Sequence, residues 1–499
     1  MRSNIKITLI ISTIIFVSCK KKINDPETNH QIFRLSKKGR ISTDGGLSRG
    51  VAWGDFDNDG DPDLYVANSN GQWNAFYKND GKGQFQKMTA ERNSESATIS
   101  FGSNSQGVNW VDYDNDGDLD LFIVSRGEEK NLLFRNDSLV RFTKIEESEL
   151  TKKGISASMA CWADFDNDGD LDVFLAGYSH PNLLFRNDGN ENFQPIYDTV
   201  ISENEEGRSR ACSCGDSNND GLPELYIANA RKSNQYFKNL GDWKFNLVKN
   251  VHEEKNIGYS YGASWADYDN DGDLDLFVAN FDRENFLYQN DGLGSLLPFT
   301  DSILTIQQGG ASKGHTWGDF DHDGNLDLFV ANGTYAPDMR NFLFMNRGKG
   351  VFEKTIQKAL EKSADTSAGA AHADIDRDGD LDVFVANWGS RDQVNTLYKN
   401  IGAKGNWITM RLKGTTSNTF GVGTQVSIYT KNNVLHRWLF PNTGYASQND
   451  YELHFGLGDA NEIDSLKIHW TLGKVDIYQN IVVNKHFQAT EGKSIRVIR

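Results

Sequence analysis

The chain has little cysteine, little proline, no long hydrophobic run and no excess of positive charge. Four cysteines in 499 residues cannot build the disulfide framework of a small secreted scaffold. Cys161, Cys212 and Cys214 therefore read as small buried filler rather than as metal or redox ligands. Eight prolines beside 47 glycines point to many tight turns. The longest apolar run, Ile5–Val17, is shorter than the roughly 20 residues a bilayer span requires. A mean hydropathy of −0.58 excludes a multi-span membrane protein. Lys and Arg number 52 against 69 Asp and Glu, a net charge of −17, so nucleic acid is not an expected partner. The ten histidines (30, 180, 252, 315, 322, 372, 436, 454, 469 and 486) form no metal or nucleophile motif. What is abundant is aromatic: 29 Phe, 17 Tyr and 11 Trp. With the glycine-rich turns, this composition predicts an all-β protein.

The N-terminus reads as an address. Arg2 and Lys6 accompany the short apolar run, which ends Phe16-Val17-Ser18-Cys19. The stretch resembles a bacterial lipobox, although Phe16 stands where Leu is usual. Residues 1–18 are then a lipoprotein signal peptide, Cys19 is the lipidation site, and residues 19–30 are a tether. More than one acyl chain would make such an anchor stable. The expected location is the bacterial cell envelope, as an exported outer-membrane lipoprotein whose only membrane contact is its lipid.

One motif, Asp-x-Asp-x-Asp-Gly-x-x-Asp, begins at Asp55, Asp112, Asp164, Asp216, Asp267, Asp319 and Asp374. A period of 51–57 residues is that of a propeller blade. An apolar β run such as LFVAN follows each motif, then a second run such as NLLFRND, then a Phe opening a third. A fourth run leads into the next motif, with Trp53, Trp110, Trp162, Trp265 and Trp317 two residues before the first Asp. Four short strands per unit predict a blade, and the tryptophans read as packing between blades. His372 fills the tryptophan position in the seventh unit. The expected seventh Phe, near residue 404, is absent, whereas Phe33 fits the series. The predicted remedy is that the Phe33 strand completes the seventh blade and closes the ring.

Carboxylates at positions 1, 3 and 5 of a tight loop converge, Gly at position 6 permits the turn, and an acid at position 9 closes the shell. Hard oxygen donors without Cys or His select calcium. The predicted ligands are Asp55, Asp57, Asp59 and Asp63; Asp112, Asp114, Asp116 and Asp120; Asp164, Asp166, Asp168 and Asp172; Asp216, Asn218, Asp220 and Glu224; Asp267, Asp269, Asp271 and Asp275; Asp319, Asp321, Asp323 and Asp327; Asp374, Asp376, Asp378 and Asp382. Position 12 lies in mid-strand, which excludes an EF-hand. The fourth loop, one charge short at Asn218, should be the weakest of up to seven calcium sites. Seven Ca²⁺ would bring the net charge to about −3, so much of the acidity is metal ligand. His322, inside the sixth loop, is expected to be exposed.

These repeats resemble the FG-GAP/VCBS family, which includes integrin-α blades, over residues 31–404. Residues 405–499 carry Gly421-Val422-Gly423, Gly444-Tyr445-Ala446-Ser447-Gln448, His454-Phe455-Gly456-Leu457-Gly458 and Ile468-His469-Trp470, and resemble the ASPIC/UnbV domain. Thr424 and Thr471 depart from that family's usual residues. The two together resemble the cartilage acidic protein family. The fold implied is a seven-bladed calcium-binding β-propeller followed by a small β-sandwich-like domain. The resemblance implies partners on the face opposite the calcium loops, and the family supplies no catalytic residue.

That face should carry Trp73, Tyr178, Phe281, Tyr335 and Trp388, with Arg126, Arg231, Arg283, Arg340 and Arg391; aromatics and Arg are favoured interface anchors. The expected function is calcium-stabilised adhesion or binding to a protein or glycan. An envelope-assembly role through residues 405–499 is the alternative; lost partner capture with an intact propeller on deleting them would favour it. A polysaccharide-active enzyme is not expected, because calcium takes up the carboxylates that an acid–base pair would need.

Overall fold

The computed structural model describes residues 31–37, 39–88, 99, 102–138, 141–152, 155–189, 191–197, 200–202, 207–249, 257–306, 310–333, 338–361, 366–389 and 393–498. The signal peptide, Cys19 and the tether lie outside the described residues, as do Tyr335 and Arg391.

Each repeat folds into a four-stranded antiparallel sheet. In the first, Ser48–Gly54 pairs with Asp63–Asn68, then come Ala75–Asn79 and Phe85–Lys87. Six more four-stranded units follow, with inner strands Ser105–Val111, Ala157–Ala163, Ser209–Gly215, Gly258–Ala266, Ser312–Gly318 and Ser367–Ala373; the fourth and fifth are joined where Glu224–Lys232 pairs with Gly258–Ala266. The strand after each motif is buried on both faces, as in Asp63–Asn68 and Asp327–Asn332. Hence these segments read as continuous apolar runs rather than alternating ones. Each inner strand packs on its two neighbours, and Ser367–Ala373 packs on Ser48–Gly54, so the sheets form a closed ring. The outer strand of the seventh sheet is Phe33–Leu35, paired with Thr396–Asn400. Phe33 is buried with its ring centroid 5.3 Å from that of Phe320.

The tryptophans before the motifs lie between sheets. Trp53 Nε1 donates to Ala371 O of the seventh sheet (3.4 Å), and Trp265 Nε1 to Ser213 O of the fourth (3.3 Å). Every inner strand also slips register near its start. Such a bulge leaves a residue unpaired and re-aims its side chain. Six positions before each motif, this region holds Arg49, Gln106, Ser158, Arg210, Tyr261, Lys313 and Ala368.

The C-terminal residues form two more four-stranded sheets. One orders Glu452–Gly458, Asn406–Lys413, Lys485–Thr490 and Arg496–Val497; the other Val434–Trp438, Gln425–Tyr429, Glu462–His469 and Val475–Val482. Met410, Ile428, Phe455, Ile468 and Phe487 are buried between them. Two of these strands, Val434–Trp438 and Lys485–Thr490, have no clear local signal. The second owes its pairing to a parallel neighbour far away in sequence, Asn406–Lys413.

This domain docks on the aspartate-loop face. Its arm, residues 441–450, enters the central channel, where Gln448 lies opposite Ala52 in a parallel bridge. Gln448 Nε2 donates to Trp110 O (3.1 Å), Asn442 Nδ2 to Ala160 O (2.6 Å) and Thr443 Oγ1 to His315 O (2.9 Å). The approach is close enough to demand glycine: a Cβ on Gly50 would stand 2.2 Å from Ala446 O, and one on Gly369 2.2 Å from Ser447 Oγ. The propeller therefore has a plug, and its sequence is the Gly444–Gln448 segment.

Candidate metal loops and the opposite channel mouth

The seven loops share one backbone solution. Position 4 adopts a left-handed conformation in all of them, from Asn58 (φ 55°) to His322 (63°) and Arg377 (59°), and position 6 is glycine with φ of 90–98°. Asn tolerates that region better than most residues. The position-6 amide donates to the first carboxylate in every loop, for example Gly60 N to Asp55 Oδ2 (2.9 Å) and Gly379 N to Asp374 Oδ2 (2.9 Å). The position-7 amide donates to the third, as Asp118 N does to Asp116 Oδ1 (2.8 Å). Carboxylates 1, 3 and 9 thus gather at one point. Ligand atoms of Asp55, Asp57 and Asp63, of Asp112, Asp114 and Asp120, of Asp164, Asp166 and Asp172, and of Asp319, Asp321 and Asp327 lie within 4.8 Å of one another. In the fifth loop Asp267, Asp269 and Asp271 do so.

These clusters fit a hard divalent cation. Buried carboxylate oxygens without a hydrogen-bond partner occur in six of the loops: on Asp55, Asp57 and Asp63; on Asp114; on Asp166; on Asp269; on Asp319 and Asp321; and on Asp376 and Asp382. Leaving so many buried oxygens unpaired is costly, and a cation would complete them. Burial, reinforced by the neighbouring acids, pushes Asp112 up to about 7. Burial opposed by backbone amides leaves Asp164 at about 7. Asp55 is held at about 6, with the Arg411 guanidinium partly offsetting its burial. In loops one and seven a lysine partly fills the place of an ion: Lys78 contacts Asp57 and Asp59, and Lys399 contacts Asp376 and Asp378.

The fourth loop differs as its charge suggests. Glu224 accepts from Ser217 N and Oγ (both 2.9 Å) and from Asn218 Nδ2 (2.9 Å). Its acid is already satisfied by hydrogen bonds, and no carboxylate oxygen of that loop is orphaned among the described residues.

Two further rings of contacts had no local signal. The Asn that ends each third strand reaches the preceding sheet: Asn136 Nδ2 donates to Phe56 O (2.8 Å), Asn187 to Tyr113 O (2.7 Å), and Asn79 to Ile375 O (2.8 Å), which closes the circle. The position-4 residue reaches the next loop. Asn58 donates to Asp118 (2.7 Å), Asn115 to Asp170 (2.7 Å), and Arg377 Nε to Asp61 (3.1 Å), again closing the circle. His322 holds the same position, and its Nε2 lies 3.0 Å from Gly379 O. The expectation that it is exposed is thus corrected: it is buried, because the C-terminal domain packs on it, with Gly458 N donating to His322 O (2.7 Å) and the His454 ring 4.9 Å away. His372 hydrogen-bonds Thr316 Oγ1 through Nδ1 (2.7 Å) between adjacent sheets. Cys161, Cys212 and Cys214 are free and buried.

The C-terminal domain covers these loops. Arg411 donates to Asp55 Oδ2 (2.8 Å) and Gly60 O (2.6 Å), Thr419 N to Asn115 Oδ1 (3.0 Å), Arg437 to Gly324 O (3.0 Å), and His454 Nε2 to Gly379 O (2.8 Å). Glu452 anchors Arg377 (3.0 Å) and Arg411 (3.2 Å) between the two parts. Residues 405–499 are thus packed on the loops rather than set apart from them.

Loops joining second and third strands emerge at the other end of the channel. Of the residues expected there, the structure brings Tyr178, Phe281, Trp388 and Arg126 together around the axis. The Arg126 guanidinium lies 3.2 Å from the Tyr178 ring centroid, and that of Arg210 lies 4.2 Å from it. Lys313 Nζ is 5.2 Å from Phe281, 5.7 Å from Tyr261 and 5.6 Å from Trp388, whose ring Arg49 covers at 4.1 Å. Tyr445, the tip of the plug, meets Tyr261 edge-on at 5.5 Å. Trp73 stands apart, 63% exposed. Arg231 contacts Tyr259, and Arg340 pairs with Asp338 (2.8 Å); Arg283 lies beside Asp282 (3.9 Å). Arg49, Arg210, Tyr261 and Lys313 were not anticipated, although their fixed position before each motif was legible.

Comparison with known proteins agrees with this architecture. An FG-GAP-like repeat model matches residues 55–123, 112–175, 164–227, 216–278, 267–330 and 331–385, and an ASPIC and UnbV model matches 414–496. Cartilage acidic protein 1 of Xenopus tropicalis is 25% identical over 466 residues, covering 86% of this chain and 71% of its own length; that of Homo sapiens is 26% identical over 470 residues, covering 86% and 69%. Among solved structures, YCF48 bound to D1 peptide has a TM-score of 0.45 at 11% identity, covering 75% of this chain and 96% of its own. BBS1N in complex with ARL6DN has a TM-score of 0.48 at 9% identity, covering 75% and 98%. With aspartate loops repeated around a closed ring of sheets and a C-terminal domain seated on them, the chain belongs to the FG-GAP-like repeat family and carries an ASPIC and UnbV domain.

Proposed function

We propose that this protein is a calcium-stabilised binding protein of the cell envelope that captures a protein or glycan on the face opposite its metal loops. The supporting observation is the division of labour between the two ends of the channel. One end holds the acidic loops and is covered by the C-terminal domain. The other gathers aromatic and basic side chains around its mouth. Calcium in the loops would neutralise carboxylates that otherwise repel one another, and the loop-to-loop contacts would make the blades stiffen together. The ligand face would then be a rigid surface, which lowers the ordering cost of binding.

The test is a binding screen of the calcium-loaded protein against polysaccharides and extracellular proteins, with a chelator control. The expected result is a calcium-dependent hit that weakens at least tenfold when Trp73 and Trp388 are both changed to Ala. Undiminished binding by that double variant would remove this face from the reading. The proposed lipid anchor at Cys19 is tested by Cys19→Ala, which should move the protein from the membrane fraction to the soluble one; a variant still sedimenting with membranes would refute it.

A further inference from the structure

The channel mouth has a second layer of order, which deepens the ligand-face reading and rests on it. Going round the axis, Arg126, Tyr178, Arg210, Tyr261, Lys313, Trp388 and Arg49 alternate cation and aromatic ring, one residue from each blade. Three of the four cations stand on bulged inner strands, at the same distance before the motif. Their aromatic neighbours hold them by cation–π contact, which fixes position without neutralising charge. Among the described residues no carboxylate pairs with Arg49, Arg126, Arg210 or Lys313. Lys313 is only 6% exposed, and Arg49 Nε is buried without a hydrogen-bond partner. This is an unusual concentration of positive charge for a chain of net charge −17.

We infer that the mouth binds an acidic saccharide, whose carboxylate or sulfate groups are received by the ring of cations above Tyr445. Burial and the nearby Arg49 lower Lys313 to about 8, and burial with the surrounding cations lowers Arg126 to about 10. A bound anion relieves both effects. Because the arc's rings already face cations, the mouth is built to receive charge rather than to stack sugars. Stacking surface stands further out: Trp73 is 63% exposed and Tyr197 71% exposed, and both follow strands that end at this face. Pyranose C–H faces suit such free aromatic rings, whose faces carry negative potential. Cations at the axis and open aromatics outside them together favour a charged sugar chain over an acidic peptide.

The experiment titrates the full chain in calcium with polygalacturonate, dextran sulfate, neutral dextran and poly-glutamate. The expected result is binding of polygalacturonate or dextran sulfate, whichever acid the ring prefers, but not of neutral dextran. Affinity should fall at least tenfold in Lys313→Met and in Arg210→Gln, with the melting temperature of Arg210→Gln within about 2 °C of the parent. Raising salt should weaken binding steeply. Binding of neither acidic polysaccharide, binding of poly-glutamate alone, or equal affinity of parent and Arg210→Gln would each overturn the inference. In the wider screen, a ligand lost on changing Trp73 and Trp388 but indifferent to Lys313 and Arg210 would overturn this inference while leaving the ligand-face reading standing.

Discussion

Chelating calcium from the folded protein lowers its melting temperature by roughly 5–12 °C. The estimate starts from extracellular-type calcium loops, whose dissociation constants run near 10⁻⁴–10⁻³ M. At about 2 mM calcium each such site adds roughly 0.7–1.8 kcal/mol by mass action, so seven together add about 5–12 kcal/mol. A chain of this size loses about 1 kcal/mol of stability per degree near its melting point. The fourth loop, where Asn218 and Ser217 already satisfy Glu224, contributes least, and Asp220→Ala there costs less than Asp116→Ala in the second loop. The pH dependence supplies a sharper check. Without metal, burial holds Asp112, Asp164 and Asp267 at about 7, against about 4 in an unfolded chain. Between pH 4 and 7 the folded protein therefore binds protons that the unfolded chain has released, and its stability falls as pH rises through that window. The chelated protein should melt higher at pH 5.5 than at pH 8. The calcium-loaded protein should do the reverse, because the metal requires deprotonated ligands. Scanning calorimetry with and without chelator measures both. An unchanged melt after verified metal removal would contradict the calcium assignment, and so would a chelated protein that gains stability between pH 5.5 and 8.

Removing residues 405–499 should destabilise the propeller rather than free it. The domain and the first three blades share one continuous apolar cluster, in which Leu412, Tyr451 and Leu453 join Trp110, Leu119 and Leu121. The arm also supplies hydrogen bonds from Gln448, Asn442, Thr443 and Tyr451 to inner-strand carbonyls, while Arg411 and Arg437 reach the loops. At about 1 kcal/mol net for each bond, these contacts alone amount to roughly 5–8 kcal/mol, and exposing the apolar cluster adds to that. The full chain should unfold in one calorimetric transition. A chain ending at Lys404 should melt at least about 5 °C lower at equal calcium and bind the metal more weakly, since the loops lose the packing and hydrogen bonds that hold them in place. Equal melting temperatures and equal calcium affinity would show that the domain is an appendage after all.

Much of this was legible in the chain itself, for a physical reason. A calcium loop is local: nine consecutive residues fix their own turn, and the acids, the glycine and the left-handed position all lie within it. Seven copies with buried strands between them specify a closed ring, and the displaced Phe33 announces how the last sheet is completed. The one missing charge of the fourth loop is legible too, and there Asn218 donates to Glu224 in place of a further acid. By contrast, His322 was misjudged because its burial depends on His454 and Gly458 of the C-terminal domain, more than 130 residues on, and no pattern within one loop reports them. The strand Lys485–Thr490 carries no local signal because its partner is the distant strand that begins at Asn406.

The sequence by itself determined the repeats, the loop chemistry and the all-β architecture, since each rests on contacts between residues close in the chain. Only the tertiary structure decided what stands at either end of the channel. The C-terminal domain could have hung free or packed anywhere; it lies on the acidic loops because Arg411, Arg437 and the Glu452 network complement them. Its Gly444–Gln448 segment becomes a plug only where Gly50 and Gly369 let two backbones approach. Three of the mouth's four cations, Arg49, Arg210 and Lys313, meet because their inner strands bulge at the same height around one axis, and Arg126 joins them from the end of a second strand.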